Sequence, residues 1–146
     1  MARNLYAAAE RPHALAGLPG VALTLLRVFA ALLVMQHGAQ KVFGLFGGFG
    51  GTGRPAPLLS QHGIAGMVEL AGGLLVAFGL FTRTVALILS GELAVAYFLR
   101  HAPGGFSPLE NGGEPTALLS FVFLLFAAFG RTPYSIDARR TGRRRR

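Results

Sequence analysis

The chain has 146 residues, 52% of them hydrophobic and only 14% charged, with a formal net charge of +8, where a soluble domain carries about 25% charged residues. Together with a mean hydropathy of +0.50, this excludes an ordinary water-soluble domain, because so small a globule has too little interior to hide that much apolar surface. With no cysteine in the sequence, disulfides, thiolate-bound zinc and Cys-ligated iron–sulfur clusters are excluded, and any redox work falls to a bound cofactor or a partner.

In chain order, residues 1–19 form a mixed N-terminal segment whose first twelve residues suit a short surface helix. Four apolar runs follow, at about 21–41, 63–81, 84–99 and 115–130. Each is about 16 to 21 residues long, or ~24–32 Å as a helix, close to the ~30 Å hydrocarbon thickness. The last run, Ala117 to Phe129, has almost no polar face, so no side of it is suited to water. The expected fold is therefore all-α, an integral membrane four-helix bundle over residues 20–131 that uses the lipid bilayer as its solvent. The links agree. Phe43 to Ser60 is a long Gly- and Pro-containing loop, Thr82-Arg83 reads as a tight turn, and His101 to Glu114 is a second long loop. Arg27 inside the first run, and the polar Gln36 to Lys41 at its end, suit a retained span better than a cleaved signal peptide. Glu114 before Pro115 suits a helix start, and Ser135-Ile136-Asp137 after Pro133 reads as a turn or cap closing the last helix.

Basic residues orient the bundle. With both termini inside, Arg3, Arg11, Arg83, Arg131 and the six tail arginines (Arg139, Arg140 and Arg143 to Arg146) are cytoplasmic, against Lys41, Arg54 and Arg100 outside. Residues 132–146 are then a basic cytoplasmic tail beside anionic headgroups. Without aromatic–basic interleaving or a reader motif, the charge does not point to nucleic acid.

Three ionisable residues remain within the spans: Arg27, Glu69 and Glu92. Each costs at least ~2.5–3.5 kcal/mol at the bilayer centre. At ~100° per residue, Lys41 lies about 40° and His37 about 80° from Arg27, giving one stripe that must face protein or water. Glu69 shares a face with His62, Ala65, Gly66, Gly72 and Gly73, small enough, His62 apart, for another helix to come close. Glu92 falls near Ile88, Leu89, Ala96 and Leu99. The simplest expectation is that Arg27 sits between the two carboxylates, as a network that fixes helix register. The alternative is a polar pocket for a proton-coupled substrate such as a quinone, or for a small oxidised sulfur species. His37, Gln40 and Lys41 end the first span, His62 opens the second, and Arg100 with His101 ends the third, so these polar groups share the non-cytoplasmic rim. They suit a quinone carbonyl or an anion better than a metal, for which no close pair of ligands is spaced.

The order Arg27, His37-Gly38-Ala39-Gln40-Lys41, Glu69-Leu70-Ala71-Gly72-Gly73, Gly79-Leu80-Phe81-Thr82-Arg83, Asn111-Gly112-Gly113-Glu114 and Ser135-Ile136-Asp137 resembles the DoxX family of small bacterial membrane proteins over about residues 20–138. The resemblance implies a four-helix inner-membrane protein. Its relatives are linked to thiosulfate:quinone oxidoreductase subunits and to membrane complexes for oxidative stress and thiol or sulfur redox balance. The long arginine tail departs from the core pattern.

The leading expectation is a membrane subunit of a quinone-linked redox system. In it Glu69 and Glu92 hold or relay protons, Arg27 sets their charge, and His37, Gln40, Lys41 and His101 contact the head group. A non-catalytic anchor that recruits a soluble redox enzyme through the tail, and a small-solute transporter working as a homo-oligomer, are the alternatives.

Overall fold

The computed structural model describes residues 17–130 and 132–144, and the surface helix expected within the first twelve residues lies outside them. Helix α1 spans Leu18–Phe43, α2 Gln61–Phe78, α3 Thr82–Ala96, α4 Glu114–Phe129 and α5 Ile136–Arg144. Three helical stretches are long and apolar enough to cross a bilayer: α1, α2, and α3 with its continuation to Gly104. The fourth, α4, is a 16-residue apolar helix, about 24 Å long. The chain is an all-helical membrane bundle.

Helix ends follow from local chemistry. Pro19 sits in the first turn of α1, and Gly44 closes that helix in the left-handed region (φ 71°), its N–H bonding to Gln40 O. Ser60 caps α2 by accepting from Gly63 N at 3.1 Å. Gly79 (φ 68°) ends α2, where the N–H groups of Gly79 and Leu80 reach back to Val76 O and Leu75 O. The turn between α2 and α3 is thus Gly79 to Phe81, and Thr82-Arg83, expected as the turn, already belong to α3. Glu114 and Pro115 open α4 as expected. The helix of α3 does not stop at Leu99; it runs on through a π turn at Tyr97–His101 and a 3-10 turn at Ala102–Gly104. The residues expected to close α4, Ser135 to Asp137, instead open α5, with Ser135 Oγ accepting from Ala138 N at 3.1 Å.

Antiparallel α1 and α2 pack closely, as do α3 and α4. Small residues set the first contact. A Cβ on Gly38 would stand 2.7 Å from Gly66 O and from Leu70 N, so the two backbones touch where no side chain intervenes. The shared core is made of Ala30, Ala31, Val34, Val76, Ala86, Leu89, Leu93, Leu119, Phe123, Phe126 and Ala127. Outside it, Phe29, Phe78, Phe98 and Phe121 face outward. An apolar exterior around buried Arg27, Glu69, Ser90 and Ser120 is the distribution that lipid solvation requires.

Candidate functional site

The three intramembrane charges divide into two sites. Arg27 and Lys41 are fourteen residues apart on α1, or about 21 Å along its axis. Because α2 runs antiparallel, Glu69 lies level with the Lys41 end of α1, and the Arg27 end meets the last turn of α2. The expected convergence of Arg27 with Glu69 and Glu92 is therefore corrected, since the cation paired with Glu69 is Lys41.

In the first site, Lys41 Nζ donates to Glu69 Oε1 at 2.6 Å, with Glu69 fully enclosed and Lys41 partly so. Glycine makes this bond possible. A Cβ on Gly66 would stand 2.7 Å from Lys41 Cβ, so the lysine stem crosses α2 over a bare backbone to reach the carboxylate. Glu92, on α3, lies within electrostatic range of both Glu69 and Lys41. Oε2 of Glu69 and Oε2 of Glu92 are buried and accept no hydrogen bond. The site thus holds two carboxylates, one ammonium group, and two acceptor atoms that no donor among the described residues satisfies. Glu92 itself is half-buried. Of its expected neighbours, Leu89 is buried while Ile88 and Leu99 face outward.

The rim residues take different places. His37 is exposed on α1, off the buried stripe, and interacts electrostatically with Glu69. Gln40 donates from Nε2 to Phe46 O at 3.2 Å and Lys41 O accepts from Ala56 N at 2.7 Å, so the first loop is tied back over the end of α1. His62 packs against Phe49 of that loop, ring centroids 4.6 Å apart. His101 belongs to the second loop, with Nδ1 3.3 Å from Asn111 O and Nε2 3.4 Å from Thr116 Oγ1. An N–H on Nδ1 and an acceptor at Nε2 satisfy both partners. Asn111 donates to Gly105 O at 2.8 Å and to the Tyr97 hydroxyl at 3.2 Å. Gln40 and His101 therefore bind loop partners, and of the expected head-group residues Lys41 is the one that reaches Glu69.

The second site is a clasp at the opposite end. Buried Arg27 donates to Thr132 Oγ1, to Tyr134 O at 3.1 Å and, at the 3.4 Å limit, to Ala77 O. Thr24 Oγ1 lies 2.9 Å from Pro133 O. Asp137 interacts electrostatically with Arg27, and its carboxylate accepts from Phe81 N at 3.1 Å and Thr82 N at 2.9 Å, capping α3. Arg27 thus anchors the chain after α4, away from both intramembrane carboxylates. The sequence marks Asp137 as a cap, but of the last helix and not of α3, and it carries no signal for Thr132; the partners lie 55–56 and 105 residues away.

Residues 22–102 match the DoxX family. A Haemophilus influenzae protein, described as uncharacterized, is 38% identical over 122 residues, covering 79% of this chain and 87% of that relative. No solved structure matches. With a family match over more than half of its length and a relative this similar along most of both sequences, the chain belongs to the DoxX family of membrane proteins.

Proposed function

We propose that this protein is a subunit of a quinone-linked redox system of the bacterial inner membrane, and that the Lys41–Glu69–Glu92 site holds the quinone head group. The observation that carries this reading is the pair of buried carboxylate oxygens left without donors beside one ammonium group. A quinone supplies two-electron, two-proton chemistry when bound. The residues suit both of its forms: Lys41 donates to a carbonyl oxygen, and Glu92 accepts from a hydroxyl. Glu92 faces no basic partner at hydrogen-bond distance, so it is the group that takes or returns a proton, while Glu69 keeps Lys41 in place. His37, exposed on the neighbouring face, offers an exchange point towards the rim. The distribution of basic residues supports cytoplasmic termini, which sets this site in the outer half of the membrane. With no cysteine in the chain, electrons pass between the quinone and a soluble redox partner.

The test is retention of quinone by the full-length protein purified from quinone-containing lipid nanodiscs. Wild type should retain quinone above the level of empty discs, and Glu92→Gln should lower it at least tenfold with the helix content unchanged. A folded wild-type protein that retains no more quinone than empty discs refutes the proposal.

A further inference from the structure

At the end of the bundle away from the carboxylates, a dense set of cations is held at a fixed depth. Asp137 ties the first turn of α5 to the first residues of α3, accepting from Phe81 N and Thr82 N, while its own N–H donates to Gly79 O at 3.0 Å. The start of α5 is therefore level with the point at which α2 leaves and α3 enters the apolar layer. From that level Arg139 and Arg140 follow, both exposed on α5, and Arg83 stands exposed in the first turn of α3. Cations outnumber anions in the sequence here, Asp137 being the one acidic residue after Glu114. Apolar anchors surround the cations: Phe81 is 59% and Tyr134 69% exposed, and the Arg140 guanidinium lies 5.8 Å from the Phe81 ring centroid. An aromatic side chain in the outer acyl region with a guanidinium above it is the arrangement that suits a lipid–water boundary.

We infer that α5 and the adjoining turn form a binding site for acidic phospholipids, with Arg83, Arg139 and Arg140 holding headgroup phosphates. The occupant follows from position and charge. The site opens at headgroup level, it carries an excess of positive charge, and guanidinium groups pair with phosphate oxygens in bidentate fashion. Asp137 fixes the height of the site and so acts as a positioning residue, while the arginines make the contacts. This inference is independent of quinone binding in the opposite half of the membrane.

The experiment uses the full chain in nanodiscs of phosphatidylcholine alone or with 30 mol% phosphatidylglycerol. Trypsin cleavage after the tail arginines is followed by mass spectrometry, and the lipid retained after release from the discs by native mass spectrometry. Cleavage should be at least about tenfold slower in the phosphatidylglycerol discs, given roughly 1 kcal/mol per basic residue near an anionic surface, and high salt should abolish the protection. Wild type should retain phosphatidylglycerol over phosphatidylcholine. Arg139→Gln with Arg140→Gln should lose that preference, and the matching lysine pair should keep most of it. Asp137→Ala should lower retention with every arginine present, a result that charge alone does not give. Equal cleavage in both lipids, or protection that appears only when a soluble protein is added, overturns the inference. So does unchanged phosphatidylglycerol retention in the glutamine pair or in Asp137→Ala.

Discussion

Removing the ammonium group from the Lys41–Glu69 pair should be the most damaging single change within the half of the bundle that holds the two carboxylates. At the observed 2.6 Å and an effective dielectric of ~20, the gross attraction is ~6 kcal/mol, most of it offset by the cost of desolvating both ions. Lys41→Met leaves Glu69, 2% exposed, as a buried anion with Glu92 as its charged neighbour. The expected loss is about 3–5 kcal/mol. Glu69→Gln should cost less, about 1–2 kcal/mol, because the Lys41 side chain is 17% exposed and still has Glu92 within range. Replacing both, as Lys41→Met with Glu69→Leu, should return to within about 1 kcal/mol of wild type, since no unpaired ion is left between α1 and α2. Reversible unfolding in mixed micelles, followed by helix circular dichroism, gives all three values and closes a double-mutant cycle. Additive single effects, or a Lys41→Met loss below that of Glu69→Gln, would refute the pairing and the order of the charges.

The remaining predictions concern the clasp and the helix contact. Arg27→Met should cost about 3 kcal/mol or more by stranding several buried acceptors, and should raise amide hydrogen exchange at residues 132–137 well above that of the α1–α2 contact; uniform exchange would argue against a local clasp. Asp137→Ala should lower stability by about 1 kcal/mol through loss of the α3 cap, with faster exchange at Phe81 and Thr82 as its signature. Gly38→Ala should destabilise by about 1–3 kcal/mol, because the new methyl group meets the α2 backbone. Gly91→Ala, where a Cβ meets nothing within 4 Å, should be neutral or stabilising by up to about 1 kcal/mol. Comparable losses at the two glycines would contradict the packing of α1 on α2.

The four apolar helices were legible because hydropathy over a helix-length window reports the solvent directly. Their ends were less so. α1 begins at Leu18 because Pro19 fits a first turn, and α2 ends before Gly79 because that residue adopts a left-handed conformation, both matters of backbone geometry that an apolar count does not register. The Gly66–Glu69–Gly73 face was legible because small and charged residues mark contact faces where apolar periodicity does not. For Glu92 the same approach gave Ile88 and Leu99 as neighbours, both of which face outward; in a membrane helix the outer side is as apolar as the inner. The pairing of charges needed one further step, the rise along two antiparallel helices, which alone separates Arg27 from Glu69. Asp137 reads as a cap, but its helix was not legible, because that helix begins more than fifty residues earlier.

The clasp also bears on how the protein is made. α1 is synthesised before the residues that answer its charges: Glu69, which receives Lys41, lies 28 residues further on, and Thr132, which receives Arg27, lies 105 further on. As the nascent chain leaves the ribosome, α1 carries two unmet cations, and the second is relieved only after α4 has emerged. Insertion is therefore completed from both ends of the chain, and a product truncated before residue 132 leaves the translocon with a guanidinium group that only water or lipid headgroups can satisfy.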